Sequence, residues 1–301
     1  MRPADVARLV ALAAIWGASF VFIRVLVPPL GPIWVAALRL LIAGAMLAAW
    51  LAATGRDARL ARHWRAYLFL GILNSALPFV LYGLAARELH AATMSILNTA
   101  TPLFGALLAA GFLGERLTTR RLAGIACGVA GVALVAGGAA LAVDPRSLGA
   151  VAACLGATLC YAAAGVWLRR FGTDLSPYAI AAWSQLLAGL ALVPVGIAAP
   201  PPGPMSPATW ANLLALALLC SGVAYLLYYR LMQTVGPTKT LTVTFLMPAF
   251  GMAWGGLLLG ESITATMLGG AALIVAGTAL VAFGGARARP TRHAARLEGK
   301  V

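Results

Sequence analysis

"PLFGALLAAGFLGERLT" occupies positions 102–118, and "PAFGMAWGGLLLGESIT" occupies positions 248–264. Both open on proline, carry Phe-Gly two residues later, run apolar and close on Gly-Glu. Their spacing, 146 residues, pairs Pro102 with Pro248, Gly105 with Gly251, Gly114 with Gly260, Glu115 with Glu261 and Gly124 with Gly270. The same offset sets Tyr82 on Tyr228 and Arg39 on Gln185, and an offset of 145 sets Trp16 on Tyr161 and Arg24 on Arg169. A correspondence that runs through the chain marks a duplication, with the two copies joined near "AVDPRS" (142–147).

Each copy reads as membrane-embedded. Of 301 residues, 62% are hydrophobic and only 10% charged, with a mean hydropathy of +0.92. Soluble domains carry about 25% charged residues. Apolar stretches recur at the roughly 20-residue length that a bilayer demands of a spanning helix. The pattern predicts ten spans, at 6–26, 32–53, 66–86, 91–113, 121–141, 147–168, 176–198, 208–229, 237–259 and 264–284. Five per copy is an odd number, so the two copies cross the membrane in opposite senses. The expected fold is therefore an all-α integral membrane protein of two inverted five-helix repeats, 1–141 and 147–284, followed by a basic tail at 285–301. Inverted repeats are a common design of secondary transporters, with the substrate site near the midplane between them.

The formal charge of +14 orients the chain and gives no reason to expect a nucleic-acid partner. With the N-terminus inside, 18 of the 22 basic residues fall in cytoplasmic segments, among them Arg56, Arg59, Arg62, Arg65, Arg116, Arg120, Arg121, Arg169 and Arg170. Arg24, Arg87 and Arg146 face the other side, and Arg39 lies within a span. That bias is a positive-inside signal, and it predicts a multi-pass protein of the cytoplasmic (inner) membrane with both termini cytoplasmic. Residues 1–26 have the outline of a signal peptide, but their counterpart in the second copy argues that they are a retained span. Cys127, Cys154, Cys160 and Cys220 all fall in apolar helices without C-x-x-C spacing, and read as packing residues.

The ten spans, "AIWGASFVFIR" (14–24), the arginine in "ALRLLIAG" (37–44) and the doubled Pro…Gly-Glu pattern resemble the EamA family of the drug/metabolite transporter superfamily over residues 6–284. Within it the chain is most similar to YddG-type amino-acid exporters. The resemblance implies a ten-helix basket around a central cavity lined by spans 1, 3, 4, 6, 8 and 9, with spans 5 and 10 packed outside. It also implies export as the direction of transport.

Several residues are candidates for the pathway. On span 8, Ser221, Tyr225 and Tyr228 share one helical stripe, and their equivalents on span 3 are Ser75, Phe79 and Tyr82, with Asn74 beside them. Hydrocarbon disfavours unsatisfied polar atoms, so a semi-polar aromatic stripe written twice suits a cavity for a neutral or zwitterionic solute. Interfacial tyrosine belts are the alternative. On spans 4 and 9, Asn98 aligns with Thr244, each four residues before the shared proline. Proline removes a helical hydrogen bond, which makes Pro102 and Pro248 candidate hinges. Thr101 either serves the substrate or satisfies the freed backbone, and Asn98 serves either substrate or interhelical bonding. Trp16 and Tyr161 stack on a ligand or pack helices together. Arg39 could bind a carboxylate, snorkel outward or cap helix carbonyls. The resembled family carries arginine there whatever its solute, which favours a structural use.

Absences are informative as well. All eight acidic residues lie at span ends or in loops, so no midplane proton relay or cation site is evident. Glu115 and Glu261 are expected to end helices and pair with arginines, with gating as an alternative. No phosphate-binding loop, His-Glu-x-x-His or metal-ligand cluster occurs, so no cofactor and no ATPase subunit are expected. The expected partners are a small-molecule substrate and the lipid bilayer. The sequence thus points to a non-enzymatic secondary transporter that exports small neutral metabolites, amino acids including aromatic ones, by alternating access. The alternatives are another metabolite or drug-like solute, or a passive channel.

Overall fold

In the computed structural model, residues 1–55, 59–139, 145–172 and 174–283 are described. The basic tail, the two ends of the expected repeats at 141 and 284, and Arg56, Asp57, Asp144 and Glu298 lie outside them. All regular structure among the described residues is helical. Eight helices are long and apolar enough to cross a membrane, and Val243–Leu259 is a shorter apolar helix. The first, Pro3–Ala53, contains two spans in 51 residues. It turns at Gly31, whose φ of 72° and ψ of 159° lie where a side chain is strained. Pro28, Pro29 and Pro32 remove helical N–H donors around it. The turn is pinned where Gly203 N–H donates to the Pro29 carbonyl at 3.0 Å.

With that turn counted, ten spans run in alternating directions: 3–30, 32–53, Leu60–Ala85, Ala91–Leu113, Thr119–Ala139, Pro145–Phe171, Pro177–Ala198, Pro207–Val235, Val243–Leu259 and Ala265–Phe283. Contacts between ends fix the sense. Thr234, ending span 8, donates to Asp5, which begins span 1, at 3.5 Å. At the opposite face, Trp34 Nε1 donates to the Ala199 carbonyl at 3.1 Å.

Packing follows the sequence offset. Spans 5 and 10 cross antiparallel at glycines. A Cβ on Gly124 would lie 2.7 Å from the Gly277 carbonyl oxygen, and one on Gly131 would lie 2.8 Å from that of Gly270. Gly270 and Gly277 are the equivalents of Gly124 and Gly131, so the contact is reciprocal, as a two-fold axis across the crossing requires. Spans 2 and 7 repeat the arrangement at the offset of 145, with Gly44 against Leu186 and Gly189 against Leu41. Small residues allow the close backbone approach by which helices pack without a hydrophobic driving force.

Three features depart from the expected helices. Span 4 is two helices, Ala91–Asn98 and Thr101–Leu113, and Pro102 falls in the first turn of the second, where its missing N–H costs nothing. Span 9 begins at Val243 rather than 237, after a separate turn at Pro237–Thr240. Threonines explain this break: the hydroxyls of Thr240, Thr242 and Thr244 donate to the carbonyls of Gly236, Lys239 and Leu241 at 2.8, 2.6 and 2.8 Å, in competition with the helix. Finally, π-helical turns interrupt spans 3, 7 and 8 at Ile72–Ala76, Ile180–Ser184 and Ala215–Val223, the first and last at overlapping positions under the repeat offset. Those two each carry a serine of the predicted stripe, and such turns often mark functional sites.

Candidate functional site

The centre of the bundle is built from repeat-related residues. Arg39 is 5% exposed. Its Nε donates to Ser221 Oγ at 2.6 Å, and its guanidinium stacks 3.8 Å over the Phe79 ring. Gln185, the equivalent of Arg39, reaches the same residue: its Nε2 donates to the Ala181 carbonyl at 3.1 Å and to the Ser221 carbonyl at 3.4 Å. Cys220, Tyr161 and Tyr225 are near enough to feel the charge of Arg39. Asn74 and Ser75 flank the Tyr225 hydroxyl. Ser75 Oγ and Gln185 Oε1 are buried with no hydrogen-bond partner among the described residues.

Two equivalent aromatic pairs flank this centre. Trp16 packs on Tyr228 at 5.4 Å between ring centroids, and Tyr161 stacks with Tyr82 at 6.4 Å. Trp16 also meets Tyr225 edge-on at 6.2 Å, and Phe20 meets Tyr82 at 5.3 Å. These are the T-shaped and offset geometries that aromatic quadrupoles favour.

The remaining predicted residues sort differently. Tyr82 donates to Asn98 Oδ1 at 2.7 Å, joining spans 3 and 4. Thr101 donates to the Asn98 carbonyl at 2.8 Å, and Thr244 to that of Leu241, so both threonines satisfy local backbone. Pro248 lies inside a continuous helix and leaves the Thr244 carbonyl without its helical donor. Ser95 of span 4 donates to the Met247 carbonyl, adjacent to Pro248, at 3.0 Å. At the break in span 4, Thr278 of span 10 donates to the Thr99 carbonyl at 3.0 Å. Neither Ser95 nor Thr278 has a repeat partner of its own type (Leu241 and Val132), so the offset gave no sign of them.

The glutamates form a second constellation. Glu261 accepts hydrogen bonds from the Ala91 and Ala92 amides, at 2.8 and 3.1 Å, and faces Arg24 Nε at 3.4 Å. Its side chain is 3% exposed. His90 precedes this helix without capping it, so a carboxylate 170 residues downstream supplies the cap. Arg24 itself donates to the Leu89 carbonyl. At the face bearing the N-terminus, Glu115 pairs with Arg169 at 2.6 Å and Arg121 at 2.9 Å. The Arg169 guanidinium, then burial in the opposing sense, then Arg121 set the net result: the Glu115 carboxyl titrates below its ordinary range. Arg24 and Arg169 are repeat equivalents, as are Glu261 and Glu115. Each pair therefore ties one sequence copy to the other, at opposite faces. They differ in depth, because Arg169 is 61% and Glu115 26% exposed. A reason lies in the sequence: the equivalent of Ala91 is Pro237, which has no N–H to offer Glu115.

Two cavities, of about 380 and 220 Å³, flank the Glu261 end. Arg24, Pro28, Arg87 and Pro202 line the first, and Glu88, His90, Ser262 and Thr264 contribute to the second. Neither is formed by the predicted stripe. No cluster of three metal-ligating side chains occurs among the described residues.

Comparison with known proteins fits this architecture. A probable terminal-alkyne amino-acid exporter of Streptantibioticus cattleyicolor is 27% identical over 275 residues, covering 91% of each chain. A WAT1-related chloroplastic protein of Arabidopsis thaliana is 26% identical over 280 residues, 89% of this chain and 67% of that one. The uncharacterized transporter YoaV of Bacillus subtilis is 22% identical over 281 residues, covering 91% and 95%. A crystal structure that superposes with a TM-score of 0.66 at 21% identity, over 99% of this chain and 100% of the other, has the same fold. The profile of the EamA-like transporter family matches twice, at residues 6–137 and again at 148–283. By that double match this multi-pass membrane protein belongs to the EamA-like transporter family.

Proposed function

We propose that the chain is a secondary carrier that exports small neutral metabolites, amino acids including aromatic ones, across the cytoplasmic membrane by alternating access. The observation that carries this reading is the reciprocal pair of cross-repeat contacts, Arg24 with Glu261 and Arg169 with Glu115. A carrier needs a closure at each face that can open while the other holds, and inverted repeats supply two versions of one closure. In this reading residues 1–141 and 147–284 rock against each other, with Pro102 and Pro248 as hinges. The arginine-rich face is cytoplasmic and so are both termini, which puts Glu115 inside and Glu261 outside. The buried Glu261 closure beside the solvated Glu115 closure corresponds to a form sealed more firmly outside than inside.

The substrate class rests on the residues around Tyr225 and on a relative. Trp16, Asn74, Ser75, Phe79, Tyr82, Tyr161, Ser221, Tyr225 and Tyr228 offer aromatic surface with a few polar groups, suited to a solute with an apolar part. None of these residues is acidic, which disfavours a cation as cargo. The Streptantibioticus relative is named as an amino-acid exporter.

The test is counterflow in proteoliposomes preloaded with unlabelled amino acids, one at a time, with labelled phenylalanine outside. The proposal expects saturable, transient accumulation that Tyr225→Ala weakens. Flux that neither saturates nor accumulates would identify a channel. Absence of counterflow for every amino acid, with correctly folded protein, would end the substrate assignment.

A further inference from the structure

We infer that Arg39 is the anchor for a carboxylate, so that the solute must carry one. This inference rests on the carrier reading for its consequences in transport but not for its binding chemistry. The geometry removes snorkelling and capping as uses of this arginine, and the packing contacts that join spans 2, 3 and 8, Nε on Ser221 and the guanidinium face on Phe79, leave its Nη groups for a ligand. Snorkelling requires the charged head to reach water at a membrane face, whereas Arg39 is 5% exposed and its guanidinium lies against the Phe79 ring and Ser221 inside the bundle. Capping requires bonds to free helix carbonyls. The hydrogen bond Arg39 makes among the described residues runs from Nε to a hydroxyl oxygen, and none runs to a carbonyl.

What is left is an unmatched charge. No carboxylate of the described residues pairs with Arg39; the ion pairs present involve Arg8, Arg24, Arg121 and Arg169. A buried cation is retained only where a partner or a function balances its desolvation. Among the described residues its two Nη groups make no hydrogen bond, yet they are not among the side-chain atoms sealed from solvent without a partner. They therefore border accessible space. With Nε held by Ser221 and one ring face held by Phe79, the guanidinium is fixed with its outer edge free, the geometry that takes a carboxylate in a bidentate fork. Gln185 Oε1 and Ser75 Oγ, buried acceptors without partners, belong to the same cluster.

The inference is tested by binding, apart from transport. The purified full-length protein in detergent is titrated with phenylpropanoate and with phenethylamine, which share ring and chain length and differ in bearing a carboxylate or an ammonium. Thermal melting reads affinity, because a ligand of the native state raises Tm with concentration. Loss of charge-assisted bonds to the anion is worth on the order of 10-fold or more in affinity. Phenylpropanoate is expected to bind the wild type at least about 10-fold more tightly than phenethylamine, and Arg39→Gln is expected to erase that preference, with Arg39→Lys intermediate. Equal binding of the two probes by the wild type, or a preference that survives in folded Arg39→Gln, would overturn the assignment. Should Arg39→Gln not fold, the wild-type contrast decides alone. Loss of amino-acid counterflow with the carboxylate preference intact would sink the carrier reading and leave the anchor standing.

Discussion

Removing the Glu261 carboxylate strands two backbone amides and an arginine, and the geometry sets the scale. Glu261 accepts from the Ala91 and Ala92 amides at 2.8 and 3.1 Å, from a side chain 3% exposed. Hydrogen bonds to a charged group contribute about 1.5–3 kcal/mol each, and the lost cap of span 4 falls within the same interaction. Arg24 is a third exposed, at 32%, so its ion pair adds little beyond about 1 kcal/mol. Glu261→Ala should therefore cost about 3 kcal/mol, or roughly 6–12 °C in Tm at about 2–4 °C per kcal/mol for a protein of this size. Glu115→Ala is the internal control. Glu115 is itself 26% exposed, and its partners Arg169 and Arg121 are 61% and 17% exposed, so the loss should stay at about 1 kcal/mol. Scanning fluorimetry of the three proteins in one detergent gives the comparison, and hydrogen exchange should find the Ala91 and Ala92 amides deprotected only in Glu261→Ala. Equal shifts for the two variants, or a larger one for Glu115→Ala, would refute the reasoning that burial and the trans cap make the Glu261 contact the stronger.

Other outcomes follow from the same structure. Gly277→Leu places a side chain against the Gly124 and Gly128 backbone; overpacking of about 1–3 kcal/mol or more is expected, read as a lower Tm, whereas Gly137→Leu, which meets nothing within 4 Å, should leave Tm unchanged. The carboxyl of Glu115 titrates below its ordinary range in the folded state, so its stabilisation is complete above the unfolded value of about 4.3 and is lost as pH falls through the lower folded value. The Tm difference between wild type and Glu115→Gln should thus be flat above about pH 5 and close below about pH 4. Pro248→Ala restores an N–H to the Thr244 carbonyl within a continuous helix; if Pro248 is a hinge, counterflow slows while Tm holds or rises, and an unchanged rate would remove it from that role.

The repeat offset made the ten spans and the equivalent residues legible, because periodicity and identity are properties of the sequence itself. Contacts between equivalents were not. The offset pairs Arg24 with Arg169 and Glu115 with Glu261, but the bonds cross, Arg24 to Glu261 and Arg169 to Glu115, and only the folded arrangement reveals that exchange. Span position alone left Arg39 open between membrane interface and interior, since depth along a helix does not fix which way the helix faces. Packing against Phe79 and Ser221 decided it. Thr101 and Thr244 looked like site residues because hydroxyls near a proline serve either ligand or backbone, and here they bond local carbonyls. The threonine run at 240–244 displaced the start of span 9 for the same reason.

Alternation between two closures is tested most directly by locking them one at a time. In a background with Cys127, Cys154, Cys160 and Cys220 replaced by alanine, the cysteine pairs Arg24→Cys/Glu261→Cys and Arg169→Cys/Glu115→Cys are bridged by a bifunctional methanethiosulfonate, and phenylalanine counterflow is followed before and after reduction. The account predicts that either bridge alone stops counterflow and that reduction restores it, since each face must open once per cycle. Counterflow that continues with a completed bridge at either face would contradict it.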